Sequence, residues 1–136
     1  MDLVKTMMIA ASGLKAQSSR MLVIAENLAN ADSVAKTPGG DPYRRRIPTM
    51  QSSFDRELQA MVVKPGRPTA DRSDFGLRYM PGHPAANQDG YVRTPNVNSL
   101  IESADMREAQ RSYQANLNVV TAARRMIQRT IDILRA

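Results

Sequence analysis

The sequence contains no cysteine and no tryptophan, and only one histidine. Without cysteine there is no disulfide framework and no thiolate chemistry. With His83 as the sole imidazole, a zinc centre would have to be built nearly from carboxylates alone, which is not how zinc is held. His83 lies in Pro81-Gly82-His83-Pro84, a stretch that reads as a turn and not as the setting of a catalytic base. Four tyrosines and two phenylalanines are all the aromatic residues, poor provision for a rigid globular core or for stacking on bases. No apolar run approaches the roughly 18 residues of a membrane span. The run Met7-Met8-Ile9-Ala10-Ala11 is short for a signal-peptide core, and Asp2 precedes it in place of a basic region, so no conventional secretion address is expected. The glycines at 39, 40, 66, 76, 82 and 90 form neither a Gly-x-Gly-x-x-Gly nor a Walker spacing, which leaves no phosphate loop. Ser99 has no base partner in view and suits a helix cap better than a nucleophile. The carboxylates are scattered without an obvious pair. No enzyme activity, no cofactor, no metal and no small-molecule substrate are expected.

What the sequence does have is period. From Ser99 to Leu134, the residues Met106, Tyr113, Val120, Ile127 and Leu134 recur every seven positions. Ala109, Leu117, Ala123 and Ile131 fall between them at offsets of three or four. That is an amphipathic helix with a narrow seam, roughly 50 Å long at 1.5 Å per residue. Arg111, Asn118, Arg125 and Asp132 mark the opposite face. Ser99 and Glu102 have the spacing of a capping box, which makes Ser99 the expected N-cap.

A second stripe opens the chain. Met7, Leu14, Met21 and Leu28 form one row, and Leu3, Ala10, Gln17, Ile24 and Ala31 form the other. Two matched stripes at the two ends are most simply buried against each other. The seam is soft, because methionine adapts to its surroundings and alanine fills little volume. Gly13 lowers the helix's own propensity by about 1 kcal/mol against alanine. Ordering two such ends costs more conformational entropy than one thin seam returns. Neighbouring copies are therefore expected to complete the burial, with both ends disordered in a free monomer.

The first helix is expected to close between Asn30 and Asp32, with Asn30 able to adopt the left-handed conformation. Thr37-Pro38-Gly39-Gly40-Asp41-Pro42 is loop, and Tyr43-Arg44-Arg45-Arg46 is extended between Pro42 and Pro48. Phe54 to Val63 is ambiguous: Phe54, Leu58 and Met61 fit a helix, and Met61-Val62-Val63 fits a strand. Phe75 to Tyr79 reads as a strand, and Asp89-Gly90 reads as a turn entering a strand at Tyr91-Val92-Arg93. All eight prolines lie in this middle region. The expected fold is mainly α. Long N- and C-terminal helices, in residues 1–32 and 99–136, pair in a coiled-coil-like bundle. A turn-rich middle segment with short β-strands, residues 33–98, is inserted between them.

Several stretches resemble a known family. Asn27-Leu28-Ala29-Asn30-Ala31-Asp32-Ser33 is similar to the signature that closes the first helix in axial proteins of the bacterial flagellum, the rod and hook subunits. Gly39-Gly40-Asp41-Pro42-Tyr43-Arg44-Arg45, and the long run from Pro81-Gly82-His83-Pro84 to Asn96-Val97-Asn98, resemble the proximal rod members of that family. Tyr113-Gln114-Ala115-Asn116 and Ala122-Ala123-Arg124-Arg125-Met126 resemble the family's last helix. The resemblance implies a structural protein that is exported without a cleaved signal by the flagellar type III apparatus. It implies assembly with other rod subunits into the basal-body rod that crosses the periplasm. It also implies that terminal helices pack inward and the middle segment lies outward.

On this reading the assembly seam comprises Leu3, Met7, Leu14, Met21, Ile24 and Leu28, with Met106, Tyr113, Leu117, Val120, Ile127, Ile131 and Leu134. Asn27 and Asn30 of the signature, and Tyr43, Arg44 and Arg45 of the loop, are the candidates for contact with a neighbouring subunit. For the Arg44-Arg45-Arg46 run three readings stand: a solvated edge, a fork for a neighbour's carboxylates, and a nucleic-acid contact. Arg107, Arg111, Arg124, Arg125 and Arg129 suit a polar face, a channel or a neighbour. A net charge of +6 keeps one alternative function open, a small basic coiled-coil adaptor for nucleic acid or an acidic membrane. No groove-reading motif accompanies that charge, so nucleic acid is not the expected partner. Lys5, Lys15 and Arg20 are few for a membrane-surface helix.

Overall fold

The computed structural model describes residues 2–136. Two helices dominate it, α1 (Leu3–Ala29) and α2 (Ser99–Arg135). Between them run six short strands: β1 (Arg46–Ile47), β2 (Met50–Asp55), β3 (Ala60–Pro65), β4 (Thr69–Ala70), β5 (Gly76–Tyr79) and β6 (Tyr91–Thr94). They pair antiparallel as β1 with β4, β2 with β3 and β5 with β6. The fold is mainly α, as its periodicity indicated. No helix among the described residues is long and apolar enough to cross a membrane.

The helix ends differ in detail from the expectation. Asp2 caps α1, its Oδ1 accepting from the Val4 and Lys5 amides at 3.0 and 3.1 Å. α2 is capped by Asn98, not Ser99: Asn98 Oδ1 accepts from the Leu100 and Ile101 amides at 3.0 and 3.3 Å. Asn and Ser cap about equally well, and the upstream asparagine wins because Glu102, the other half of the expected box, is engaged elsewhere. α1 ends at Ala29, but Asn30 does not become left-handed; among the described non-glycine residues only Gln59 has a positive φ. Asn30 closes the helix through its side chain, Nδ2 donating to the Glu26 carbonyl at 2.8 Å.

The chain folds as two compact units. The first comprises the chain up to Met21, Thr49–Arg67 and Arg107–Ala136. Here the two helices run antiparallel. Gly13 faces Asn116, and Arg20 reaches Glu108 at 3.7 Å. A Cβ on Gly13 would lie 2.9 Å from the Asn116 side chain, so the glycine that weakens α1 admits the opposing asparagine. The inner face of α2 in this unit carries Tyr113, Val120 and Ile127, all half-buried, with Ala109 and Ala123 buried beside them. The ambiguous stretch at 54–63 is the β2–β3 hairpin, with Gln59 (φ 47°) in its turn. The helical spacing of Phe54, Leu58 and Met61 is overridden because Val62 finds burial against this unit. The Val63 amide also donates to Ser12 Oγ of α1 at 3.2 Å.

The second unit comprises Leu22–Pro48 and Pro68–Met106. Its apolar core is small: Ala35, Ala85 and Val92, flanked by Val34, Met80 and Ala86. The 81–90 loop is organised by Asn87, whose Oδ1 accepts from the Asp89 and Tyr91 amides at 3.0 and 2.8 Å. Gly90 (φ 82°) must be glycine, since a Cβ there would lie 2.9 Å from the Tyr79 ring. His83 serves the same loop, Nδ1 accepting from the Ala85 amide at 3.0 Å.

Candidate functional site

A core of two alanines and a valine is too thin to order the second unit alone, and a polar cluster supplements it. Asn27, on the last turns of α1, is fully buried. Its Oδ1 accepts from the Tyr43 hydroxyl at 2.8 Å and from the Arg46 amide at 3.0 Å. Its Nδ2 donates to the Arg46 carbonyl at 2.8 Å and to Glu102 Oε2 at 3.1 Å. Both lone pairs and both protons of the amide are thus used. The side chain grips the Arg46 peptide on both sides, as a neighbouring strand would.

Glu102, in the first turns of α2, is 1% exposed. A buried carboxylate needs a paired cation and further donors. Arg45 provides the cation, Nε donating to Glu102 Oε1. Arg45 Nη1 also meets Asp71 Oδ2 at 3.3 Å, and its backbone amide donates to Asn96 Oδ1 at 2.8 Å. Asn96 Nδ2 in turn donates to the Ser73 hydroxyl at 2.9 Å and the Asp71 carbonyl at 3.2 Å. Burial works against the charge on Arg45, but its bonds to Glu102 and Asp71 outweigh this and hold its pKa above the usual value. Burial, and then the Glu26 carboxylate, push the Tyr43 hydroxyl up, so it remains a neutral donor to Asn27. The Ser73 bonds hold the Asp71 carboxyl below its ordinary value, which keeps it charged beside Arg45.

The structure therefore brings together three of the five candidate contact residues, Asn27, Tyr43 and Arg45. Arg44 lies alongside: its Nη1 donates to the Asp71 and Ser73 carbonyls at 2.9 and 3.1 Å, and its guanidinium stands 4.1 Å over the Phe75 ring. Asn30 closes α1 and takes no part. Arg46 holds the exposed Glu26 at 3.0 Å. Three members of the cluster were missed in the sequence: Glu102, Asn96 and Asp71. A signal for Glu102 was present. It falls in the seam register of Met106 and Ala109, and an acid on a buried stripe calls for a buried cation.

Of the seam residues, Ile24 is buried, and Leu3, Met7, Leu14, Met21, Leu28, Met106, Tyr113, Val120 and Ile127 are half-buried. Leu117, Ile131 and Leu134 are exposed, at 37%, 39% and 80%. The inner row between Ala109 and Ala123 is taken by Asn116, one position before Leu117. Among the described residues no group of three His, Cys, Asp or Glu side chains could hold a metal ion. The cluster is an anchor. It joins α1, the 43–46 segment, the 71–73 loop and α2, and it presents no nucleophile with an attendant base.

Residues 7–35 match the family described as flagella basal body rod protein, and residues 88–133 match the flagellar basal body rod FlgEFG protein C-terminal family. The flagellar basal-body rod protein FlgC of Agrobacterium fabrum is 51% identical over 128 residues, covering 94% of this chain and 92% of that protein. FlgC of Bacillus subtilis is 39% identical, covering 92% and 93%. FlgC of Salmonella typhimurium is also 39% identical, covering 92% of each. These relatives are structural rod proteins and not enzymes. With that identity sustained from the first helix to the last, the chain belongs to the FlgC family of flagellar basal-body rod proteins.

Proposed function

We propose that this rod subunit is exported by the flagellar type III apparatus and assembles through its terminal helices into the proximal rod. Its partners are further copies and other rod subunits. The observation that carries the reading is the half-buried inner row of α2, Met106, Tyr113, Val120 and Ile127, which one opposing helix leaves only partly covered. In an assembly the seam from Leu3 to Leu28, and from Met106 to Leu134, is buried further by neighbours in coiled-coil fashion. The terminal parts, 1–32 and 99–136, act as the assembly element, and residues 33–98 as the outward insert. Asn27, Tyr43 and Arg45 shape the surface of that insert from beneath. The alternative of a basic adaptor for nucleic acid or acidic membrane has only the net charge behind it; strong salt-dependent DNA binding by the purified chain would favour it.

The test compares two substitutions on α2. Val120→Asp places a carboxylate in the seam, where an unpaired buried charge is costly. Asn118→Asp alters an exposed residue whose side-chain oxygen accepts from Gln114 in the preceding turn, at 3.0 Å. The first should abolish swimming and remove the chain from isolated basal bodies. The second should leave both near normal. Equal loss in the two, at equal protein level, would sink the assignment of faces.

A further inference from the structure

The first unit carries an apolar groove and, elsewhere, an apolar projection. The groove, of about 470 Å³, lies between α1 and the β2–β3 hairpin. Met8, Ala11, Leu58, Val62 and Val63 line it, and the exposed Lys15 and Lys64 stand in its wall. The projection is the end of α2. Counting along both helices from the Gly13–Asn116 and Arg20–Glu108 contacts puts Ile127 level with Asp2. Residues 128–135 thus continue past the start of α1 by roughly 12 Å. They carry Ile131, Ile133 and Leu134, the last two 75% and 80% exposed. Their one acid is Asp132, between Ile131 and Ile133. Exposed aliphatic side chains concentrated in this way mark an interaction surface.

We propose that the groove receives the α2 projection of a second copy of this chain. A chain cannot fill its own groove, because the groove begins at Met8 and the projection leaves α1 in the opposite direction. The two surfaces match in character, aliphatic side chains against an aliphatic lining. They also match in charge: the groove carries Lys15 and Lys64 with one acid, Asp55, and the projection carries Asp132 with the bases Arg129 and Arg135, so that Asp132 suits the lysines and an arginine suits Asp55. Plug and socket are different surfaces, so the contact is heterologous and passes from copy to copy instead of closing a pair. The proposal rests on the rod-subunit reading and adds to it which surface meets which.

The absence of cysteine makes the test direct. Basal bodies are isolated from cells expressing the chain with Met8→Cys and Ile133→Cys together, then treated with a short thiol-to-thiol cross-linker. The expected result is a ladder of dimers, trimers and higher species, absent when either substitution is present alone. Monomer only, in basal bodies that contain the doubly substituted chain, overturns the proposal. So do dimers formed by Met8→Cys alone, which would mean a symmetric contact. A charge exchange gives an independent reading: Asp132→Lys should lower incorporation severalfold, and Lys64→Asp in the same chain should restore it. No restoration overturns the pairing of these surfaces. Failure of the underlying reading looks different, because the unsubstituted chain would then be missing from basal bodies.

Discussion

Replacing Arg45 by alanine should lower the stability of the second unit by about 3–5 kcal/mol, the cost of stranding one member of a buried ion pair. The reason is Glu102. At 1% exposure it cannot recover water when the guanidinium is removed, and Asn27 alone supplies one remaining side-chain bond at 3.1 Å. The same substitution frees Asp71 and leaves Asp105 without the cation 4.0 Å away. Arg46→Ala is the control. Its ion pair with Glu26 is exposed on both sides, and such pairs contribute about 0–1 kcal/mol. Urea unfolding followed by tyrosine circular dichroism reports on this unit, since Tyr43, Tyr79 and Tyr91 all belong to it. A double change, Arg45→Ala with Glu102→Gln, should cost less than the sum of the two, because a neutral amide tolerates loss of the cation. Equal midpoints for Arg45→Ala and Arg46→Ala would remove the cluster from its anchoring role. A loss of the predicted size approaches the whole stability of a small unit, so Arg45→Ala cells should also be poorly motile.

The second large effect concerns order in the free monomer. Amide hydrogen exchange should be nearly unprotected over residues 3–21 and 107–134 and strongly protected at 23–27 and around 102. In assembled rods the first two stretches should become protected by several orders of magnitude. The unequal support of the two stretches is visible in their contacts. Around Asn27 and Glu102 the helices are tied by buried hydrogen bonds. Beyond Met21 and Arg107, towards the chain ends, the inner rows are half-buried leucine, methionine, tyrosine, valine and isoleucine with small alanines buried between them. The ion pair there, Arg20 with Glu108 at 3.7 Å, joins a half-buried guanidinium to an exposed carboxylate. Helices held by thin packing open locally at small cost, and ends that order only on assembly keep a subunit from polymerising early. Strong protection of both stretches in a dilute monomer would show the helix pair to be self-sufficient.

The two helices were legible because a repeat of seven is a statement about one element, and it survives any arrangement of the rest. Met106, Tyr113, Val120 and Ile127 could be assigned to one face without knowing what they touch. Strand β5 and the turn at Asp89-Gly90 were legible for the same local reason. The caps were not. Asn98 and Ser99 are both good caps, and what decided between them is Glu102, whose partners lie 57 and 75 positions away. The contact candidates came from the signature and the loop after it as surfaces for a neighbour, yet Arg45 is largely taken up within the chain, because the Asn96, Asp71 and Glu102 that hold it belong to another part of the sequence. Phe54 to Val63 stayed ambiguous until Val62 had a surface to bury against. Local pattern carries an element's existence; pairings between distant residues carry its boundaries and its polar partners.

The span of the polar cluster has a consequence in time. Asn27 and Glu102 are 75 residues apart, and the bonds that complete the cluster come from the 43–46, 71–73 and 96 positions between them. Contacts of such separation are slow to close, since chain entropy is surrendered before any bond repays it. No subset of the cluster is complete: without Arg45 the Glu102 carboxylate loses its cation, and without Glu102 one proton of the Asn27 amide loses its acceptor. The anchor therefore forms late and together. The second unit is thus complete only when the last of these residues arrives.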